Sequence, residues 1–226
     1  MLIHPWDAGS RAEALDFLRE NEFGHLIAAG AGRDVPVVVP TQFLLADEHT
    51  ALLHLARRNP VWHAIDENPA VMLVVSGDWV FIPGGWKKIP SLGEDRSHGI
   101  PTTFYASVQL ICQAAPVDDE IGIVEILRMQ IERLDPEGGL IDPAAHGWAL
   151  NGTRGLRLAI QEIRAKFKYG GNLDETHRRH IAELLAQTGG YGTGLALKHL
   201  WRRIGNQLPA NDSTPTEGGV LRLVEK

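Results

Sequence analysis

The sequence predicts a mainly β fold with helices, an antiparallel β-barrel with helices at its periphery. Three observations point there. Six or seven apolar or alternating runs lie between Phe23 and Ala114, joined by short turns, with one short helical pattern among them. The apolar fraction of 44% and charged fraction of 22% are those of an ordinary globular core, and 226 residues can bury one. No window approaches the 18 or so uninterrupted apolar residues of a membrane span.

The elements follow in order. Ser10-x-x-Glu13 is a capping box, and Ala14, Leu15 and Leu18 give a first helix over about residues 11–21. Phe23 to Ala29 reads as a strand, Gly30 to Asp34 as its turn, and Val35 to Val39 as the second strand of a hairpin. Pro40 interrupts the pattern, so Thr41 to Leu45 can continue it only as an edge or bulged strand. Asp47 to Thr50 turns the chain into a buried strand ending at His54. Ala70 to Val75 is a strand, and Asp78 is expected to turn the chain into a further one, Trp79 to Pro83. Gly84 to Gly99 is a loop long enough to be functional. Thr102 to Ala114 returns as a long strand.

Asp118 and Asp119 precede a helix whose apolar stripe is Val124, Leu127, Ile131 and Leu134. A Gly/Pro-rich connection covers residues 135–152, and Gly155 to Tyr169 is another long strand. Asp174 caps a helix carrying Ile181, Leu184 and Leu185, and a basic amphipathic helix covers roughly residues 195–206. One domain is expected over residues 1–208, with a flexible tail over 209–226 rich in Ser, Thr, Pro, Glu and Gly.

The stretch Ala51 to Asn68 carries the most chemistry. The apolar run Ala51 to Leu55 delivers Arg57 and Arg58 to a helix start marked by Asn59 and Pro60. Helix starts attract phosphate, and Arg forks add charge-assisted hydrogen bonds to it. The same residues also suit a capped surface helix with two solvated arginines, and both readings stand at this point.

Bulk charge narrows the function. Net charge is −6 and the pI is near 5.9, so nothing draws the whole chain to a nucleic-acid backbone. Strong DNA binding is not expected, even with Lys198, Arg202 and Arg203 on the last helix. A single Cys112, in an apolar strand-like run, excludes internal disulfides and multi-cysteine metal sites and reads as a buried thiol. His177 and His180 lie three apart on a helix, but no third ligand is spaced with them, so no metal site is assigned. No nucleophile elbow, P-loop or dinucleotide fingerprint is present, and no catalytic residue is assigned. The N-terminus has no basic start and apolar stretch of the kind a secretory leader needs, which points to the cytoplasm.

His54-x-x-Arg57-x-Asn59-Pro60-x-Trp62 resembles the H-x-x-R-x-N-P-x-W signature of the PaiB-type FMN-binding negative transcriptional regulators. Three further blocks support the resemblance. They are Val37 to Phe43, Gly77 to Pro83 with Trp86 and Ile100 to Tyr105, and Arg164 to Asn172 with its K-F-K. The family is often V-P-T-W-N-Y where this chain has Thr103 and Phe104, and S-Q-N where it has Gly170-Gly171-Asn172.

The resemblance implies an FMN-binding split β-barrel, related to the pyridoxamine-phosphate-oxidase-like proteins and paired as a homodimer. It places the FMN phosphate at Arg57 and Asn59, with Arg58 assisting and His54 in the same signature. The backbone of Val38, Val39, Pro40 and Thr41 would meet the ring edge. Trp62 and Trp86 would wall the ring, with Tyr105 nearby, although core packing accounts for each Trp equally well. Lys168 and Asn172 would reach the site across the dimer interface.

Two functions follow from the resemblance. One is a flavin-binding regulator; the other is an oxidoreductase acting on a small molecule. The second would be FMN-dependent, or a haem-dependent N–N cyclase of the piperazate synthase type, which resembles the same family. His54, His63 and His98 are then the axial candidates.

Overall fold

The computed structural model describes residues 1–135, 142–204 and 221–222. Helix α1, Arg11–Glu20, turns Ala14, Leu15, Phe17 and Leu18 inward, as its helical spacing requires. Strands β1, Phe23–Ala28, and β2, Val37–Gln42, pair antiparallel from Phe23↔Gln42 to Ala28↔Val37. The second strand of this hairpin therefore starts later than expected and runs straight through Pro40, which stands opposite His25. Proline is tolerated because β2 is the terminal strand of the sheet order, where a missing N–H need not break a ladder. The N–H of buried Phe43 donates to the Glu22 carbonyl (3.0 Å), after which the short β3, Leu44–Leu45, pairs with β4, Thr50–Ala56.

Helix α2, Val61–Glu67, leads to β5, Ala70–Ile82, and β6, Thr102–Val117. The turn expected at Asp78 is absent. β5 is one strand of 13 residues, because its neighbour in the sheet, β6, is long enough to keep Gly77 and Asp78 in extended backbone. Helix α3, Glu120–Leu134, is capped by Asp119, whose carboxylate accepts from the Gly122 N–H. The short α4, Gly147–Leu150, precedes β7, Thr153–Lys168. Helix α5, Glu175–Thr188, is capped by Asp174, as its sequence indicates, and α6 is Thr193–Arg203. The final β8 is Leu221–Arg222. The strand order is β2-β1-β5-β6-β7-β4-β3, with β8 paired to β7, and β1–β2, β1–β5, β3–β4, β4–β7 and β7–β8 are antiparallel pairs. Residues 205–206 of the expected last helix, and the expected tail apart from β8, lie outside the described residues.

The chain forms two compact units. One comprises Arg11–Val75 and Gln109–Ile163, together with β8. Here β1 pairs with β5 (His25↔Val74 to Ala28↔Val71) and β4 with β7 (Thr50↔Ala159 to Ala56↔Thr153). Alternate residues Leu156, Leu158 and Ile160 of β7 point inward, as the period of two demands. On α3 the buried face is Ile123, Val124, Ile126 and Gln130, and Leu134, expected in the stripe, is 45% exposed. The other unit comprises Met1–Ser10, Ser76–Val108 and Arg164 to Ile204. Its core is aromatic. Phe104, Phe167 and Tyr169 are almost fully buried, and His199 stacks on Tyr169 at 4.5 Å.

Candidate functional site

In the first unit, the segment from His54 to Trp62 is tied down at His54, Arg57, Asn59 and Trp62. His54 Nδ1 lies 2.6 Å from Oε1 of Gln130, a buried side chain on α3. Arg57 donates through Nη1 to Asp118 (2.9 Å), through Nε to the Asn151 carbonyl (3.1 Å) and through Nη2 to the Thr153 carbonyl (3.0 Å). Arg154 grips the same carboxylate with two bonds of 2.8 Å, and its guanidinium covers the Trp62 ring at 4.6 Å. Arg154 first, then Arg57, hold the Asp118 carboxyl below its ordinary range. Trp62 is buried and donates its indole N–H to the Ala56 carbonyl (2.9 Å), so it packs as a core residue.

Asn59 closes the turn itself. Its Oδ1 accepts from the Val61 N–H (3.0 Å) and its carbonyl from the Trp62 N–H (3.3 Å). The start of α2 therefore offers fewer open N–H groups than the sequence reading expects. Arg58 differs from its neighbour. It is exposed and makes no ion pair among the described residues. Helix α2 packs on β2, whose Val38 and Pro40 are exposed, Val39 half-buried and Thr41 buried. His63 is exposed on α2. The exposed guanidinium of Arg58 is of the kind that suits an anionic ligand.

The remaining candidates fall in the second unit. Trp86 sits in a 3-10 turn, Gly84–Lys87, that packs against α5. That loop closes on itself where Gly84 and Gly99 touch, since a Cβ on Gly84 would stand 2.2 Å from the Gly99 carbonyl oxygen. A histidine holds it to α5. His177 Nδ1 meets both Asp174 oxygens at 2.8 Å and its Nε2 meets Glu94 Oε2 at 2.8 Å. Glu94 also accepts from the Ile89 N–H (2.7 Å) and from Lys88 Nζ (3.2 Å). Backbone donation from Ile89 and the bond with His177 push the Glu94 carboxyl down to about 2. Burial works against charge on His177, but its bonds with Glu94 and Asp174 prevail and raise it. His98, on a neighbouring 3-10 turn, is exposed.

Tyr105 and Lys168 come together, with Lys168 Nζ 5.9 Å from the ring centroid. The sequence reading missed Lys166, at 5.8 Å from the same ring, and Lys87, which lies within range of the Lys168 charge. The K-F-K spacing was a signal for Lys166, because residues two apart on a strand share a face. No sequence signal marked Lys87. Asn172 is exposed. The departures from the family pattern also have a physical account. Phe104 packs edge-on against Tyr169 at 5.9 Å, and a Cβ on Gly170 would come 3.2 Å from the Phe104 ring. Gly170 has φ +67°, and a Cβ on Gly171 would stand 2.0 Å from the Trp6 carbonyl oxygen.

These observations define the class, an antiparallel split β-barrel with peripheral helices. Comparison with known proteins agrees. The structure is similar to the flavocytochrome Anf3 from Azotobacter vinelandii, with a TM-score of 0.57, 23% identity, and coverage of 73% of this chain and 71% of that one. It is also similar to the conserved hypothetical protein Rv2991 from Mycobacterium tuberculosis, with a TM-score of 0.52, 14% identity, and coverage of 77% and 94%. At those identities the likeness is one of fold. The chain is 22% identical over 180 residues to "Protease synthase and sporulation protein PAI 2" of Bacillus subtilis (strain 168), covering 76% of this chain and 83% of the relative. Residues 2–162 match the family described as "Putative FMN-binding domain", and the chain belongs to that family. The fold class and the PaiB-type resemblance read from the sequence are thus borne out. FMN is the cofactor that the family points to, and the comparisons lend haem no support.

Proposed function

We propose that this is a cytoplasmic, homodimeric FMN-binding protein of the PaiB regulator type, in which flavin occupancy or redox state is the signal. The observation that carries the reading is the family match over residues 2–162, which includes all of β2 and the Arg57–Trp62 segment. In this reading Arg58 takes the FMN phosphate, and Arg57, held by Asp118, positions the turn that presents it. The exposed edge of β2 receives the ring. Lys168 and Asn172 come from the partner copy. Exposed Trp79 and Phe81, each 55% accessible, support an interface between copies, since large apolar side chains seldom stay in water without use. No helix among the described residues is long and apolar enough to cross a membrane, which is consistent with a cytoplasmic protein.

The deciding experiment is the absorption spectrum of the purified protein, as isolated and after addition of FMN or hemin. Flavin bands in the blue and near-ultraviolet are expected. A Soret band with no flavin uptake overturns the reading in favour of the haem enzyme. For the phosphate, Arg58→Ala is expected to weaken FMN binding by about tenfold or more, the worth of a charge-assisted hydrogen bond, at unchanged melting temperature. Wild-type affinity in that variant removes Arg58 from the site.

A further inference from the structure

The loop over residues 84–99 is a compact body on a narrow neck. Its ends meet at Gly84 and Gly99, where a Cβ on Gly99 would stand 1.9 Å from the Gly84 carbonyl oxygen, so it has the closed outline of an Ω-loop. Within it the turn Gly84–Lys87, which carries Trp86, packs on the turn Arg96–His98, and Ile89 is buried. Glu94 braces the middle by accepting from the Ile89 N–H (2.7 Å) and from Lys88 Nζ (3.2 Å). Among the described residues, the loop has one side-chain hydrogen bond to another element, that of Glu94 Oε2 with His177 Nε2 on α5 (2.8 Å). Both side chains are largely shielded from water, which limits screening of that contact.

His177 is held asymmetrically. Its Nδ1 lies 2.8 Å from both oxygens of Asp174, the N-cap of its own helix. This local carboxylate keeps a proton on Nδ1 in either charge state, so the proton the ring gives up is the one on Nε2. With that proton gone, a nitrogen lone pair faces a carboxylate oxygen at 2.8 Å, and the tie to the loop becomes a repulsion. Glu94 supplies no proton in its place, because the Ile89 N–H first, then His177 and Lys88, hold its carboxyl down at about 2. The turn Gly84–Lys87 and α6 also pack on α5. They carry the cations Lys87, Lys198, Arg202 and Arg203 and the imidazole of His199, while Glu175 on α5 is paired with Arg179 (2.6 Å). Charge on the ring is therefore favoured by Glu94 and Asp174. We propose that Glu94, His177 and Asp174 form a proton-operated latch, in which the imidazolium holds the 84–99 loop and its Trp86 against α5 and the neutral ring frees the loop to move about its Gly84–Gly99 neck. The latch is closed at low pH and open at high pH, and it needs no flavin.

Fluorine NMR of the flavin-free full chain labelled with 5-fluorotryptophan tests it, the Trp86 resonance being identified by its loss in Trp86→Phe. In wild type that resonance is expected to move between two positions across about pH 6–9, with a midpoint above the ordinary histidine value of 6.5. His177→Asn is expected to stay at the high-pH position throughout. Glu94→Gln is expected to stay at the low-pH position, because its amide oxygen accepts from the imidazolium and its amide N–H donates to the neutral ring. Loss of fold produces neither result, since it displaces the other tryptophan resonances as well. A wild-type Trp86 resonance that does not move, or a transition of wild-type midpoint in either variant, overturns the latch.

Discussion

Arg57 shows how one side chain can look like a ligand and serve as a brace. Its three donors go to Asp118 and to the carbonyls of Asn151 and Thr153, which ties the end of β4 to the start of β7. Both ion-pair partners are about half exposed, at 41% and 51%, so solvent screening limits the worth of that pair. Arg57→Ala is expected to cost about 1–2 kcal/mol, measured by urea unfolding, and an unchanged midpoint would show that the brace is idle. The Asp118 contribution is present above its ordinary value of 3.8 and is lost as pH falls through its lowered folded value. Phe104 is a different case. It is buried to 1% exposure against Tyr169, so Phe104→Ala should cost about 3–5 kcal/mol by the same measurement.

At the scale of elements, the 84–99 loop is fastened to α5 by the Glu94–His177–Asp174 chain. His177 must carry both ring protons to donate to two carboxylates at once. Its folded value is raised from 6.5, so its contribution to stability is full below that pH and is lost as pH rises through the raised value. Glu94 has the opposite sign, contributing above 4.5 and losing its effect as pH falls towards about 2. Melting temperatures of wild type and His177→Asn across this range should differ most at mildly acidic pH and converge in alkali. A constant difference would show that His177 does not act through its charge. Hydrogen exchange of the 84–99 amides should rise in the variant under the same conditions.

For the whole molecule, Cys112 reports on integrity. It is buried at 1% exposure, and burial pushes its thiol up to about 12, so it is neither a thiolate nor reachable in the folded state. Its reaction with a thiol reagent at neutral pH should follow global unfolding, and rapid labelling without denaturant would reveal a cheap opening of the sheet. Sedimentation velocity tests assembly. A dimer is expected, and Trp79→Ser with Phe81→Ser should shift it to monomer if those side chains form the contact. A monomer for the wild type would remove the proposed partner contribution of Lys168 and Asn172.

By itself the sequence determined what short-range physics controls. The cap at Asp174, the helix that follows Asp118 and Asp119, the alternation of Leu156, Leu158 and Ile160, and the buried thiol all read correctly, because each depends on residues within a turn or two. The fold class followed from the same periodicities. Tertiary structure alone decided the rest. Gly77-Asp78 stays in strand because β6 lies beside it, and Leu134 faces water although its spacing places it on the apolar stripe. Arg57 and Arg58 are adjacent and chemically identical in the chain, yet one is spent on Asp118 and the other is exposed with no ion pair among the described residues. Periodicity encodes which way a side chain points; only the packed chain settles what it finds there.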